Sequence, residues 1–168
     1  MSLTLINSPG LSTSNAYSSL ATAGLFIEEN IHITDTWSTL ATTSKTSCVI
    51  YSTSILDESM EWLGSRGSKT QSLDWPRDAV YDEDGYAVST TTIPTFLQRA
   101  CAFLAYDLSQ ENRIKENDTL GFKRLDAGSL RMDIDKYDRK QVIPDTIWDM
   151  IKFYGTKVSS MSRTLVRK

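Results

Sequence analysis

The acids crowd most closely in SLDWPRDAVYDEDGYAV, residues 72–88. A calcium loop is the first chemistry such a run suggests. Ca2+ takes oxygen ligands at alternating positions, then a glycine, then a distal bidentate acid. Asp82, Asp84 and Gly85 stand in that order. Counting back puts Val80 where the first ligand belongs, and counting on puts Thr91 where the bidentate acid belongs. Too few oxygens and too little charge remain, so no metal site is expected. The same residues suit a hairpin, with Asp84-Gly85 at the turn, Val80 and Tyr81 entering it and Tyr86 to Val88 leaving it. Trp75 and Pro76 then cover the core ends of the helices. Arg77 is expected to pair with Asp78 or Asp82, a screened surface pair worth at most about 1 kcal/mol.

Other chemistry finds little footing. His32, the single histidine, stands between Ile31 and Ile33 with no cysteine or acid motif beside it, so a general-base role is not expected. The chain has no glycine-rich phosphate loop, no Cys/His metal spacing and no GxSxG nucleophile elbow. Neither enzymatic activity nor a cofactor is expected. Binders of single-stranded nucleic acid pair a basic groove with exposed aromatic platforms. Here Tyr17, Trp37, Tyr51, Trp62 and Trp148 fall in helical patterns among apolar residues, the spacing of a core. Net charge is −3, with 18 Lys and Arg against 21 Asp and Glu. The cations gather at the end of the chain, at Lys157, Arg163, Arg167 and Lys168. Such a tail touches phosphates or docks on an acidic protein groove, and the protein partner is the favoured reading.

The elements that must position these residues read as mainly α. With 168 residues, 40% of them hydrophobic, the chain suffices for one domain with its own core. No apolar run approaches the length of a membrane helix, and the N-terminus has no signal-peptide pattern, so a cytosolic site of synthesis and no membrane partner are expected. Cys48 and Cys101 sit in apolar helical patterns and read as reduced core thiols. After an extended loop over residues 1–13, residues 14–30 read as a first helix. Ser14 or Asn15 caps it, and Tyr17, Leu20, Gly24 and Ile27 share one face. A short helix from about Asp35 precedes a longer one over residues 44–63 that carries Cys48, Tyr51, Ile55 and Trp62 in register. Their many Ser and Thr have middling propensity, so packing must hold these helices. The clearest element is the central helix Pro94–Gln110, in which Leu97, Ala100, Cys101, Leu104, Ala105 and Leu108 recur at helical spacing and Pro94 suits the first turn. The period then changes. Leu130, Met132 and Ile134 alternate with Arg131, Asp133 and Asp135, which predicts a β-hairpin near 121–136. A last helix over VIPDTIWDMIKFYG has Asp145 at its N-terminus and ends at Gly155. The expected architecture is a bundle of four to five helices with an inserted hairpin, one domain over 1–155, and a basic extended tail over 156–168.

With these residues in hand, the chain resembles a family of small structural proteins of tailed phages. The likeness rests on SNAYSSLATA, QSLDWPRDAVYDEDGYAV, IPTFLQRACAFLAYDL and VIPDTIWDMIKFYG. Its sharpest part is the arrangement of Gln71, Trp75-Pro76-Arg77, Asp84-Gly85-Tyr86 and Ile93-Pro94. Family members often carry the label DnaT-like single-stranded DNA-binding protein, and they look like the head–tail connector adaptors beneath the phage portal. The resemblance implies a virion neck protein: a homo-oligomeric ring of about twelve copies between the portal and a tail or nozzle protein. Double-stranded DNA would pass through its lumen without sequence-specific contact. The alternative it carries is a single-stranded-DNA-binding replication accessory protein. The Ser/Thr-rich second and third helices and the tail after Gly155 depart from the family pattern. In that tail Leu165 and Val166 are the expected apolar anchors of a portal contact, and Arg163, Arg167 and Lys168 its charge partners.

Overall fold

Leu97, Ala100, Cys101, Leu104 and Ala105, spaced by three and four residues, are all fully buried. They form the inner face of the central helix, α4 (Thr95–Gln110) in the numbering below. The computed structural model describes residues 3–30, 34–113, 124–127, 130–133 and 141–158. Along it run α1 (Leu20–Glu28), α2 (Thr34–Thr39), α3 (Thr42–Ser59), β1 (Met60–Trp62), β2 (Ser65–Arg66), β3 (Arg77–Asp78), α4, β4 (Arg124–Ala127), β5 (Leu130–Asp133), α5 (Asp145–Ile151), a 3-10 turn (Lys152–Tyr154) and β6 (Gly155–Lys157). The described residues thus form a mainly α protein with small two-stranded antiparallel sheets, β1–β6, β2–β3 and β4–β5. Pro94 stands immediately before α4, and its carbonyl accepts from the amides of Leu97 and Gln98, both at 3.1 Å. The predicted span was one residue longer. Helix α4 packs against α1, α3 and α5 and is the centre of the fold.

Helix α3 shows how a Ser/Thr-rich sequence is held helical. Thr46, Ser52 and Thr53 are buried. The Ser52 and Thr53 hydroxyls donate to the Val49 carbonyl at 2.9 and 3.0 Å, so the helix's own backbone satisfies them. The Cys101 sulfur of α4 lies 3.1 Å from the Ser52 hydroxyl and 3.4 Å from that of Thr53. Small polar side chains on both sides let α3 and α4 approach closely without leaving a hydroxyl unmet. Cys48 and Cys101 are both free thiols; Cys101 is buried and Cys48 half-buried. Burial raises the pKa of each thiol above its usual value.

Three expectations are corrected here. The first helix begins at Leu20, not near Ser14: Ser19 caps it by accepting from the Thr22 amide at 3.0 Å. Ser14 and Asn15 fasten the N-terminal loop instead. Asn15 accepts from the Ile6 amide at 2.7 Å and donates to the Thr4 carbonyl at 2.8 Å, and the Ser14 hydroxyl donates to the Ser8 carbonyl. A side chain bonded back to the loop cannot also cap a helix. Second, Met60–Trp62 is a strand: the chain turns extended at Met60 and pairs with Thr156 and its neighbours, in the register Met60↔Lys157 and Trp62↔Gly155. Trp62 is buried from this strand, whereas Tyr51 on α3 faces outward. Third, β6 carries Thr156 and Lys157 into the fold, so the stretch expected as a free tail is anchored at its start. The hairpin near 121–136 is found as β4 paired with β5, from Arg124↔Asp133 to Ala127↔Leu130. No helix among the described residues is long and apolar enough to cross a membrane.

Candidate interaction surface

Residues 71–78 form a tightly bonded wedge between α3 and α4. Gln71 is buried. Its amide nitrogen donates to the carbonyls of Leu73 and Pro76 at 2.8 and 3.1 Å, while its oxygen accepts from the Ser68 amide at 3.0 Å. The Trp75-Pro76 peptide bond is cis. Trp75 is fully buried. It meets Trp62 edge to face at 5.7 Å and Phe96 of α4 edge to face at 5.6 Å. Phe96 in turn stacks on Tyr154, with ring centroids 3.8 Å apart. One aromatic column therefore joins β1, the wedge, α4 and the 3-10 turn. Of the two residues expected at the core ends, Trp75 stands in this column and Pro76, next to it in the chain, is also buried.

Arg77 does not pair with Asp78 or Asp82. Its guanidinium donates to four backbone carbonyls instead: Leu63 at 2.6 Å, Gly64 at 2.8 Å, Asp74 at 3.2 Å and Trp62 at 3.3 Å. The chain leaving β1 curls around it with its carbonyls inward, and a planar five-donor fork fits such a ring where a carboxylate pair would leave carbonyls unmet. Gly64 completes the curl at φ +69°; a Cβ there would run into the Asp78 carbonyl oxygen.

The turn over residues 81–86 stands beside this wedge. Tyr81 bridges to Ala87, the Val88 amide donates to Val80 at 2.9 Å and the Asp82 amide to Tyr86 at 2.8 Å. The Asp82 carboxylate accepts from the amides of Asp84 and Tyr86 at 3.1 and 2.7 Å. It is therefore engaged with the backbone that a calcium loop would have to present differently. Gly85 sits at φ +85° with open space around its Cβ position, so the turn projects. Tyr81 and Tyr86 are 57% and 72% exposed. On the wedge side, the Leu63 amide donates to the Tyr154 carbonyl at 2.9 Å. Partial burial, then the nearby carboxylates of Asp82 and Glu83, raise the pKa of Tyr154. Leu63 and Phe153 are also exposed, and the Phe153 ring meets that of Tyr154 edge to face at 5.4 Å. The result is one face of tyrosines and apolar side chains around three acids.

Several cations elsewhere on the described surface are paired. Arg99 pairs with Glu29 at 2.9 Å, Arg113 with Asp107 at 3.3 Å, Lys152 with Asp149 at 2.7 Å and Arg66 with Asp74 at 3.6 Å. Lys157 lies over the half-buried Trp148 ring at 4.7 Å. Deeper inside, the Tyr17 hydroxyl donates to the carboxylate of Asp57 on α3, whose other oxygen accepts from the Asp74 amide at 3.3 Å. Burial pushes the Asp57 pKa up to about 7, the Tyr17 bond holding it lower than burial alone would. Burial first, then Asp57, raises the pKa of Tyr17. No local sequence signal marks this pair, because its members are 40 residues apart and their contact depends on the packing of the N-terminal loop on α3.

Of the residues singled out from the sequence, the structure gathers Trp75, Pro76, Arg77, Asp84, Gly85 and Tyr86 into this wedge and turn, and puts Pro94 at the start of α4. Arg163, Leu165, Val166, Arg167 and Lys168 lie outside the described residues. Among the described residues no group of His, Cys, Asp and Glu is arranged to hold a metal ion. Sequence reasoning missed Leu63, Tyr154 and Phe153 as parts of the face; isolated apolar residues at strand and helix ends give no pattern from which to read them.

Fold and surface define a small mainly α protein with an aromatic-locked wedge and a projecting acidic turn. The chain belongs to the family described as "Putative DnaT-like ssDNA binding protein", whose model matches residues 1–168. No curated protein and no solved structure matches it.

Proposed function

We propose that the chain is a head-to-tail adaptor of a tailed bacteriophage: a ring in the virion neck that extends the DNA channel below the portal and joins it to a tail or nozzle protein. The carrying observation is that the exposed tyrosines flank acids. Tyr81 and Tyr86 stand on either side of Asp82, Glu83 and Asp84. A platform for stacking single-stranded bases needs cations beside its aromatics to hold the phosphates; an acidic one repels them. The same mixture of tyrosine, leucine and acid suits a protein partner, where aromatic anchors carry the binding energy. A conduit for DNA also gains from few phosphate contacts, since each adds salt-dependent affinity that would slow passage.

The basic end of the chain supplies the portal contact in this reading, with Leu165 and Val166 as anchors and Arg163, Arg167 and Lys168 as charge partners. Because β6 ends at Lys157, the truncation that tests this removes residues 159–168 and spares the strand. Portal binding is expected to be lost; undiminished binding rejects the assignment.

The second reading, favoured by the family's description, is a single-stranded-DNA-binding accessory protein of replication. Titration of the full chain with a single-stranded oligonucleotide at physiological salt separates the two. The adaptor reading expects no binding below about 10 μM, in the range of nonspecific association. Submicromolar, salt-sensitive binding rejects it in favour of the second.

A further inference from the structure

We propose that copies of this chain join head to tail, with the projecting 81–86 turn of one copy seated in the groove between α1 and the α2–α3 junction of the next. This rests on the ring reading above and names the contact that builds the ring. The groove measures about 420 Å3 and is lined by Leu20, Gly24, Leu25 and Trp37, with Glu28 and Lys45 also in its wall. Leu25, 64% exposed, offers apolar surface at its edge. Gly24 lacks the side chain that would narrow the groove, its Cβ position lying 4.0 Å from the Trp37 indole nitrogen.

Shape and charge pair the two surfaces. The turn is convex, with open space at Gly85 and two largely exposed tyrosines; the groove is concave, and Leu20, Leu25 and Trp37 share its lining with Glu28, Ser38, Thr42 and Lys45. Lys45 donates to the Ser38 carbonyl at 3.2 Å and lies 5.9 Å from the centre of the Trp37 ring, so it holds a positive charge in the groove wall towards which the acids of the turn are drawn. Glu28 offers a carboxylate to which a tyrosine hydroxyl can donate. Placement adds an independent argument. Thr42 and Lys45, at the start of α3, line the groove, while the turn sits beside Leu63 and Gly64, beyond its end. The 18 residues of α3 span about 27 Å. Two different complementary patches at opposite ends of a subunit form a heterologous contact, and such contacts build a ring when the rotation from copy to copy closes.

A charge exchange in the full-length protein tests the contact, read as association by sedimentation. Lys45→Glu and Glu83→Lys are each expected to weaken association roughly fivefold to tenfold through like-charge juxtaposition, and the chain carrying both is expected to regain it. Both positions are on the surface, and circular dichroism checks that each variant folds. As a second measurement, Tyr86→Cys and Leu25→Cys chains are mixed and oxidised; disulfide-linked pairs holding one of each are expected well above the level in either chain alone. A double charge variant no better than the single ones, a mixture that links no more than its components, or a wild-type chain that stays monomeric at every concentration overturns the proposal. Rings that form yet ignore the exchange discard this contact and leave the adaptor role standing. Virions that lack the chain discard the adaptor role without touching the contact.

Discussion

Asp57 and Arg77 show how much of this protein is decided by single polar side chains under the surface. Asp57 is held near pH 7 by burial, against an unfolded value of about 3.9. A carboxyl with a raised folded pKa keeps more protons folded than unfolded, so stability falls as pH rises from about 4 to about 7. The full penalty is on the order of 4 kcal/mol above that window. Denaturation midpoints are therefore expected to drop between pH 4 and 7, and Asp57→Asn should flatten that slope; a wild-type midpoint that rises across the window contradicts the assignment. Arg77 makes the opposite kind of point. Its four carbonyl acceptors require a fork that lysine does not possess. Arg77→Lys should cost about 1–3 kcal/mol in urea unfolding despite keeping the charge. A loss no larger than that of a surface lysine exchange would mean that the carbonyl ring is not what holds the wedge.

At the scale of elements, the β1–β6 pair joins the end of the described chain to the end of α3. Gly155 lies in this pair, where a Cβ would come within 2.7 Å of the Glu61 carbonyl oxygen. Removing residues 156–168 should therefore lower the melting temperature relative to removing residues 159–168, since only the longer deletion strips the strand; equal stabilities would show that the pair contributes nothing. Helices were legible in proportion to the regularity of their apolar spacing. The unbroken three–four repeat of Leu97 to Leu104 on α4 set that helix to within one residue, and the alternation of Leu130 and Met132 announced β4–β5. By contrast, Met60 and Trp62 continue the apolar pattern of α3, and only the partner strand 95 residues further on, Gly155–Lys157, makes them extended. Likewise Ser14 resembles a helix cap in sequence and is spent on a loop carbonyl. Long-range pairing and competing local bonds leave no periodic trace, which is why those boundaries were missed.

At the scale of the whole molecule, the described residues present several exposed tyrosine and apolar side chains. The wedge and turn were legible as a unit because a Trp-Pro-Arg run and an Asp-Gly turn have strong local meaning. Their role as a face was not, since Leu63, Phe153 and Tyr154 reach it from separate parts of the chain. That face makes protein–protein assembly the account's central claim, and an electron cryomicroscopy map of the neck of purified virions tests it most directly. The account predicts a ring of this chain directly beneath the portal. Virions without it, from cells in which it coats single-stranded replication intermediates, would contradict the account.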